Sequence, residues 1–164
     1  MRALFVSLVV VATIATGCGG SDSSSGGSAS PSSPSNPSNP SSPSAPQGLQ
    51  GTWKATKAEF VSVASSSKRV DVVAQGTVVT LALTGSNFTL TMADSGQAPR
   101  VTNGTWTSTN DTMSLKPAGM TWSWQFDMSQ SGNNLTLNGA SVEFDFAANG
   151  VNEQARLYMT LVRQ

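Results

Sequence analysis

Few side chains in this chain can do chemistry. Its 164 residues include no histidine and a single cysteine, Cys18. A lone cysteine acts as a nucleophile when its thiol ionises, and otherwise serves as an attachment point. Glu143 and Asp145 stand two apart, the spacing that puts both carboxylates on one face of a strand, where such a pair can work as acid and base. They lie opposite Val142, Phe144 and Phe146, so both are expected to face water. Ser and Thr are abundant, but no histidine stands ready to activate them. Soft-metal binding would need thioethers to converge, usually with His or Cys. Met92, Met113, Met120, Met128 and Met159 are instead spread one or two per expected strand, and zinc lacks an imidazole or a thiolate pair. The residue types therefore predict no enzyme, no metal and no cofactor.

The elements around these residues fall into three segments. Residues 1–17 read as an export signal, with Arg2 as the basic start and residues 3–14 almost wholly apolar. About twelve residues rise only about 18 Å as a helix, too short to cross a hydrocarbon core. Residues 18–46 read as a linker. Its first part is Gly/Ser-rich, and then Pro31, Pro34, Pro37, Pro40, Pro43 and Pro46 recur at every third position. Polyproline II has three residues per turn, so this spacing lines the prolines along one edge of a stiff stalk about 50 Å long. Residues 47–164 are expected to form one domain held together by burial alone, since they contain no cysteine. Removing Arg2 with the leader leaves acidic groups one ahead of basic ones. Near-neutral charge without a basic cluster argues against nucleic acid as a partner.

Ala15-Thr16-Gly17-Cys18 resembles the lipobox of bacterial lipoproteins, with Ala15 in place of the commoner leucine. The resemblance implies cleavage before Cys18, a diacylglyceryl thioether on its sulfur, and an acyl chain such as palmitate on the new amine. It implies a bacterial cell-envelope location, lipid-anchored and extracytoplasmic, with the membrane as partner through Cys18. Gly19 and Gly20 are not acidic retention residues, which points to the outer membrane where the organism has one. The plainer alternative, ordinary cleavage after Gly17, would leave a free thiol in an oxidising compartment. One acyl chain holds marginally and two hold stably.

Within 47–164 the hydrophobic period is two. Phe88, Leu90 and Met92 alternate with Thr, and Met120, Trp122, Trp124, Phe126 and Met128 alternate with polar residues. Val142, Phe144 and Phe146 do so as well, and so do Ala155, Leu157, Met159 and Leu161. Such alternation means strands with one buried face. Ten strands are expected, over 51–60, 70–74, 77–84, 87–93, 100–107, 112–116, 120–128, 134–138, 140–147 and 155–163. Asn138-Gly139 is the strongest hairpin signal between them. Short consecutive strands joined by tight turns predict an all-β, antiparallel up-and-down barrel of 8–10 strands, with a two-sheet sandwich as the rival.

From Gly51-Thr52-Trp53 the domain is similar to the lipocalin-like, or calycin-type, barrels of bacterial lipoproteins. The resemblance continues with Gly104-Thr105-Trp106, Asn134-Leu135-Thr136-Leu137 and the closing strand that ends at Arg163. It implies a barrel open at one end, the first-strand Trp near the closed end, and small apolar ligands. On that reading Trp106, Trp122, Trp124, Phe126, Met92, Phe144 and Met159 are the candidate ligand-binding residues, with Trp122, Trp124 and Phe126 on the buried face of one strand. The methionines, Met113, Met120 and Met128 included, would form adaptable walls. The competing reading has the same side chains simply filling a small barrel. The first makes the protein an envelope-anchored binder of a small hydrophobic or amphipathic ligand. The second makes it a ligandless scaffold or protein-interaction module on a stalk. Asn87-Phe88-Thr89, Asn103-Gly104-Thr105, Asn110-Asp111-Thr112 and Asn134-Leu135-Thr136 match the glycosylation pattern, but are expected to be turn and strand-entry residues.

Overall fold

The computed structural model describes residues 47–164. The export signal, Cys18 and the proline stalk lie outside the described residues. A short 3₁₀ turn at Gln47–Leu49 leads into nine strands: β1 (Gly51–Ser62), β2 (Arg69–Asp71), β3 (Val78–Thr84), β4 (Asn87–Ala93), β5 (Arg100–Ser108), β6 (Thr112–Pro117), β7 (Trp124–Ser131), β8 (Asn134–Phe144) and β9 (Glu153–Arg163). Every pairing is antiparallel. The order runs β1-β3-β4-β5-β6-β7-β8-β9, and β1 pairs again with β9. Eight strands therefore close an up-and-down barrel. The three-residue β2 lies alongside the far half of β1, Phe60 opposite Val70.

Closure follows from the alternation. Each strand has one apolar face, and only a closed sheet buries all of them without leaving an edge. Following the register once around, from Trp53 through Leu81, Leu90 and Thr102 to β9, returns to β1 roughly 12 residues further on. A stagger larger than the strand number tilts the strands and widens the barrel. The inner face carries Trp53, Leu81, Phe88, Trp106, Leu115, Phe126, Leu137 and Leu161, each at most 1 % exposed. The outer face carries Thr, Lys, Ser, Gln and Arg, such as Lys54, Thr89, Lys116, Gln125 and Arg156. An apolar interior with a polar exterior suits a barrel that stands in water.

Two expected boundaries are corrected. The segments 134–138 and 140–147 join, as far as Phe144, into one strand, β8, and Asn138-Gly139 is a β-bulge instead of a hairpin. Leu137 pairs with Met159 and Ala140 with Leu157, so β8 carries one extra residue against β9. The left-handed φ of Gly139 (82°) serves that extra residue. Both halves of β8 find their partner in β9, so neither is free to fold back on the other. The second correction concerns 120–128. β7 begins at Trp124 and extends to Ser131, because the β6–β7 ladder stops at Leu115 opposite Trp124. The positions opposite Ser123 and Trp122 are Lys116 and Pro117, Pro117 has no N–H to donate, and the chain turns there, Met120 N–H donating to the Pro117 carbonyl.

Candidate functional site

The two ends of the barrel differ. At one, the 3₁₀ turn forms a plug. Leu49 is buried, and the Trp53 indole donates to its carbonyl oxygen at 2.8 Å. The Arg163 guanidinium stacks on the Trp53 ring at 4.3 Å and donates to the carbonyls of Gly48 and Gln50. Gln130 Nε2 donates to the Gly48 carbonyl as well, at 3.0 Å. The turns at this end are short and polar. Around the plug Leu83, Trp106, Met113, Phe126 and Leu135 are sealed.

At the other end, the mouth, the inner face is only partly sealed. Met92, Thr102, Trp124 and Val142 point inward near the strand ends away from the plug, and all four are half-buried. Trp124 touches Phe88 below it (ring centroids 6.4 Å) and Trp122 above it (5.8 Å). At the same end Phe60 and Phe144 stack at 4.1 Å, and Phe146 meets Phe144 edge-on at 5.0 Å. Lys68 lies 5.2 Å over Phe146 and pairs with Glu153, tying the loop after β1 to the start of β9.

The seven candidate residues are thus divided. Trp106 and Phe126 belong to the packing around the plug, 1 % exposed each, and Met159 is buried in mid-barrel. Phe144 is buried in its stack. Met92 and Trp124 reach the mouth. Trp122 is a correction: it precedes β7, does not share the buried strand face, and is 49 % exposed on the rim. The methionines also separate. Met113 is sealed near the plug, while Met120 and Met128 are half-buried.

Asp145 is a second correction. Expected to face water beside Glu143, it is 1 % exposed, because β8 ends at Phe144 and the alternation ends with it. Its carboxylate accepts the backbone N–H groups of Ala147 (3.1 Å), Asn149 (3.2 Å) and Gly150 (2.6 Å). Burial works against its charge. The N–H donors of Gly150, Asn149, Ala147 and Ala148 outweigh it and hold the carboxyl below the ordinary aspartate value of 3.8. Glu143 stays exposed and accepts from Gln154 at 3.1 Å. Asp145 is buried and Glu143 exposed, so the two carboxylates do not share a solvent-facing side of the strand as their spacing suggested.

The sequence reading missed one feature. On the outer face a groove of about 550 Å³ runs over Gly104, beside Asn87, Thr89, Asn103, Thr105 and Lys116. Two of the Asn-x-Thr triplets are cross-strand partners here: Asn87 faces Thr105 and Thr89 faces Asn103, with Thr89 Oγ1 donating to Asn103 Oδ1 at 2.9 Å. A Cβ on Gly104 would lie 2.0 Å from the Lys116 carbonyl oxygen and 2.6 Å from the Phe88 ring. None of the seven candidate residues lines this groove. Register was the missing information, since the triplets are far apart in sequence. No protein-family profile, curated protein or solved structure matches the chain.

Proposed function

We propose that the protein is a lipid-anchored, extracytoplasmic barrel of the lipocalin-like kind, holding the apolar part of a small hydrophobic or amphipathic molecule in its mouth. The observation that carries this is the contrast between the two ends. Inward-facing apolar residues near the plug are fully buried, while Met92, Trp124 and Val142 at the mouth keep contact with solvent. Half-buried apolar side chains gain free energy when an apolar group covers them. The packing below limits the depth of the site, so the ligand inserts one apolar end and leaves its polar end in water. The Trp53–Arg163 closure supports the lipocalin-like reading, and the Ala15–Cys18 pattern supports the anchor.

A second reading rests on the filled interior. From Trp53 to Met159 the inner face is already covered by its own side chains, as in a scaffold that needs no ligand. Titrating an apolar fluorescent fatty-acid analogue, together with native mass spectrometry of protein taken from its source, separates the two. Saturable uptake that Trp124→Ala or Met92→Ala weakens about tenfold, from the apolar contact removed, supports the mouth. No uptake and no co-purifying molecule would leave the scaffold.

A further inference from the structure

The groove on the outer wall is separate from the mouth and is built on three adjacent strands. Asn87 on β4, Thr105 on β5 and Lys116 on β6 are cross-strand partners, so they stand in one row across the sheet. Thr89 and Asn103 make the next row. All five lie on the outer face, and all but the half-buried Thr89 are exposed. Beyond them the turn after β6 is held against β5, the Ala118 N–H donating to the Asn103 carbonyl at 2.8 Å. The groove's volume, about 550 Å³, is that of a small-molecule site. We propose that it binds a short acidic saccharide, with the ligand carboxylate on Lys116 and ring hydroxyls on Asn87 and Asn103. The inference goes beyond the mouth and depends on neither the mouth nor the anchor.

The walls select the ligand class. An amide carries an acceptor and donors on neighbouring atoms, so one Asn can pair with two adjacent hydroxyls of a sugar ring. Thr89 Oγ1 donates to Asn103 Oδ1 at 2.9 Å, which fixes that amide and leaves its NH₂ group to donate to a ligand. Lys116 has no ion-pair partner among the described residues, and no carboxylate lines the groove. A charge-assisted bond to a ligand carboxylate is therefore open to it. The floor suits a flat ring. Gly104 has no room for a side chain, and Ala118 and Gly119 at the groove's end are small. Two other ligand classes are disfavoured. An extended peptide adds to a free strand edge, whereas β4, β5 and β6 are each paired on both sides. An apolar ligand would strip water from the amides and the ammonium without replacing their hydrogen bonds. Because both rows lie on paired strands, their spacing is set before a ligand arrives. With so few polar contacts, a Kd on the order of 1 mM is expected.

In the test, the isotope-labelled full chain is titrated with trigalacturonic acid and followed by NMR. Maltotriose serves as the neutral counterpart and inorganic phosphate as the bare anion. The expected result is saturable amide shifts confined to the groove, at Asn87, Gly104, Lys116 and Ala118. Lys116→Gln should weaken trigalacturonate binding about tenfold, the loss of one charge-assisted contact. The double variant Asn87→Ala/Asn103→Ala should weaken it at least as much, and both variants should keep the wild-type melting temperature. No saturable shift at about 10 mM, tenfold above the expected Kd, overturns the proposal. So does either variant binding as tightly as wild type, or shifts centred on Met92 and Trp124 in place of the groove. Maltotriose binding as tightly as the acid overturns it too, since the ammonium would then select nothing. Phosphate reproducing the same shifts at the same affinity overturns it as well, since the groove would then hold only an anion.

Discussion

Asp145 shows how much one side chain can hold. Its carboxylate organises the whole turn from β8 toward β9, including Ala148, whose φ of 51° is left-handed without being glycine. Its folded pKa lies below the ordinary value, so the stabilisation it provides is complete above the unfolded-state pKa and is lost as pH falls through the folded one. Hydrogen exchange should therefore show Ala147, Asn149 and Gly150 amides protected at neutral pH and released in acid. Asp145→Ala should release them at every pH while the core strands stay protected. Arg163 has the same standing at the plug, where one guanidinium both stacks on Trp53 and closes two carbonyls. Arg163→Ala should cost about 2 kcal/mol in urea unfolding. Arg163→Lys should recover little of it, because an ammonium lacks the flat fork.

At the scale of elements, two glycines do different work, and substitution distinguishes them. Gly139 supplies a positive φ for the bulge in β8 and has open space around it. Gly139→Ala should cost about 1 kcal/mol, all of it backbone strain. Gly104 has no left-handed requirement but sits against the Lys116 carbonyl and the Phe88 ring. Gly104→Ala should cost about 2 kcal/mol or more from overpacking, and should move the resonances of Phe88 and Lys116 in an NMR spectrum. The Asn138-Gly139 dipeptide was legible as a left-handed position and misleading as a hairpin. Local turn chemistry is the same in both cases, and only the availability of β9 as partner to both halves decides between them. Trp122 fails for a related reason. Its place in the alternation is sound, but alternation makes a strand only where a neighbour offers backbone partners, and the position of β6 opposite Trp122 is Pro117, which has no N–H to give.

For the whole molecule, the closed barrel was readable because eight one-sided strands in succession leave few other ways to bury their faces. The proposed anchor at Cys18 is tested apart from the fold. Cys18→Ala should shift the protein from the membrane to soluble or unprocessed fractions, and a wild-type protein already soluble would refute it. The seven candidate site residues were legible as inward-facing, and six of them are. Their division into plug, core and mouth was not, since period-two alternation says which face a residue takes and nothing about its height in the barrel. Trp106 and Trp124 look alike in sequence, yet one is sealed near the plug and the other opens to solvent. The outer groove over Gly104 was hidden in the same way. Composition and alternation by themselves determined an all-β domain with an apolar inside and a polar outside. The tertiary structure alone decided which end is plugged, which aromatic residues meet solvent, and that Asp145 turns inward, because all three depend on register between strands, which couples residues that local pattern treats as independent.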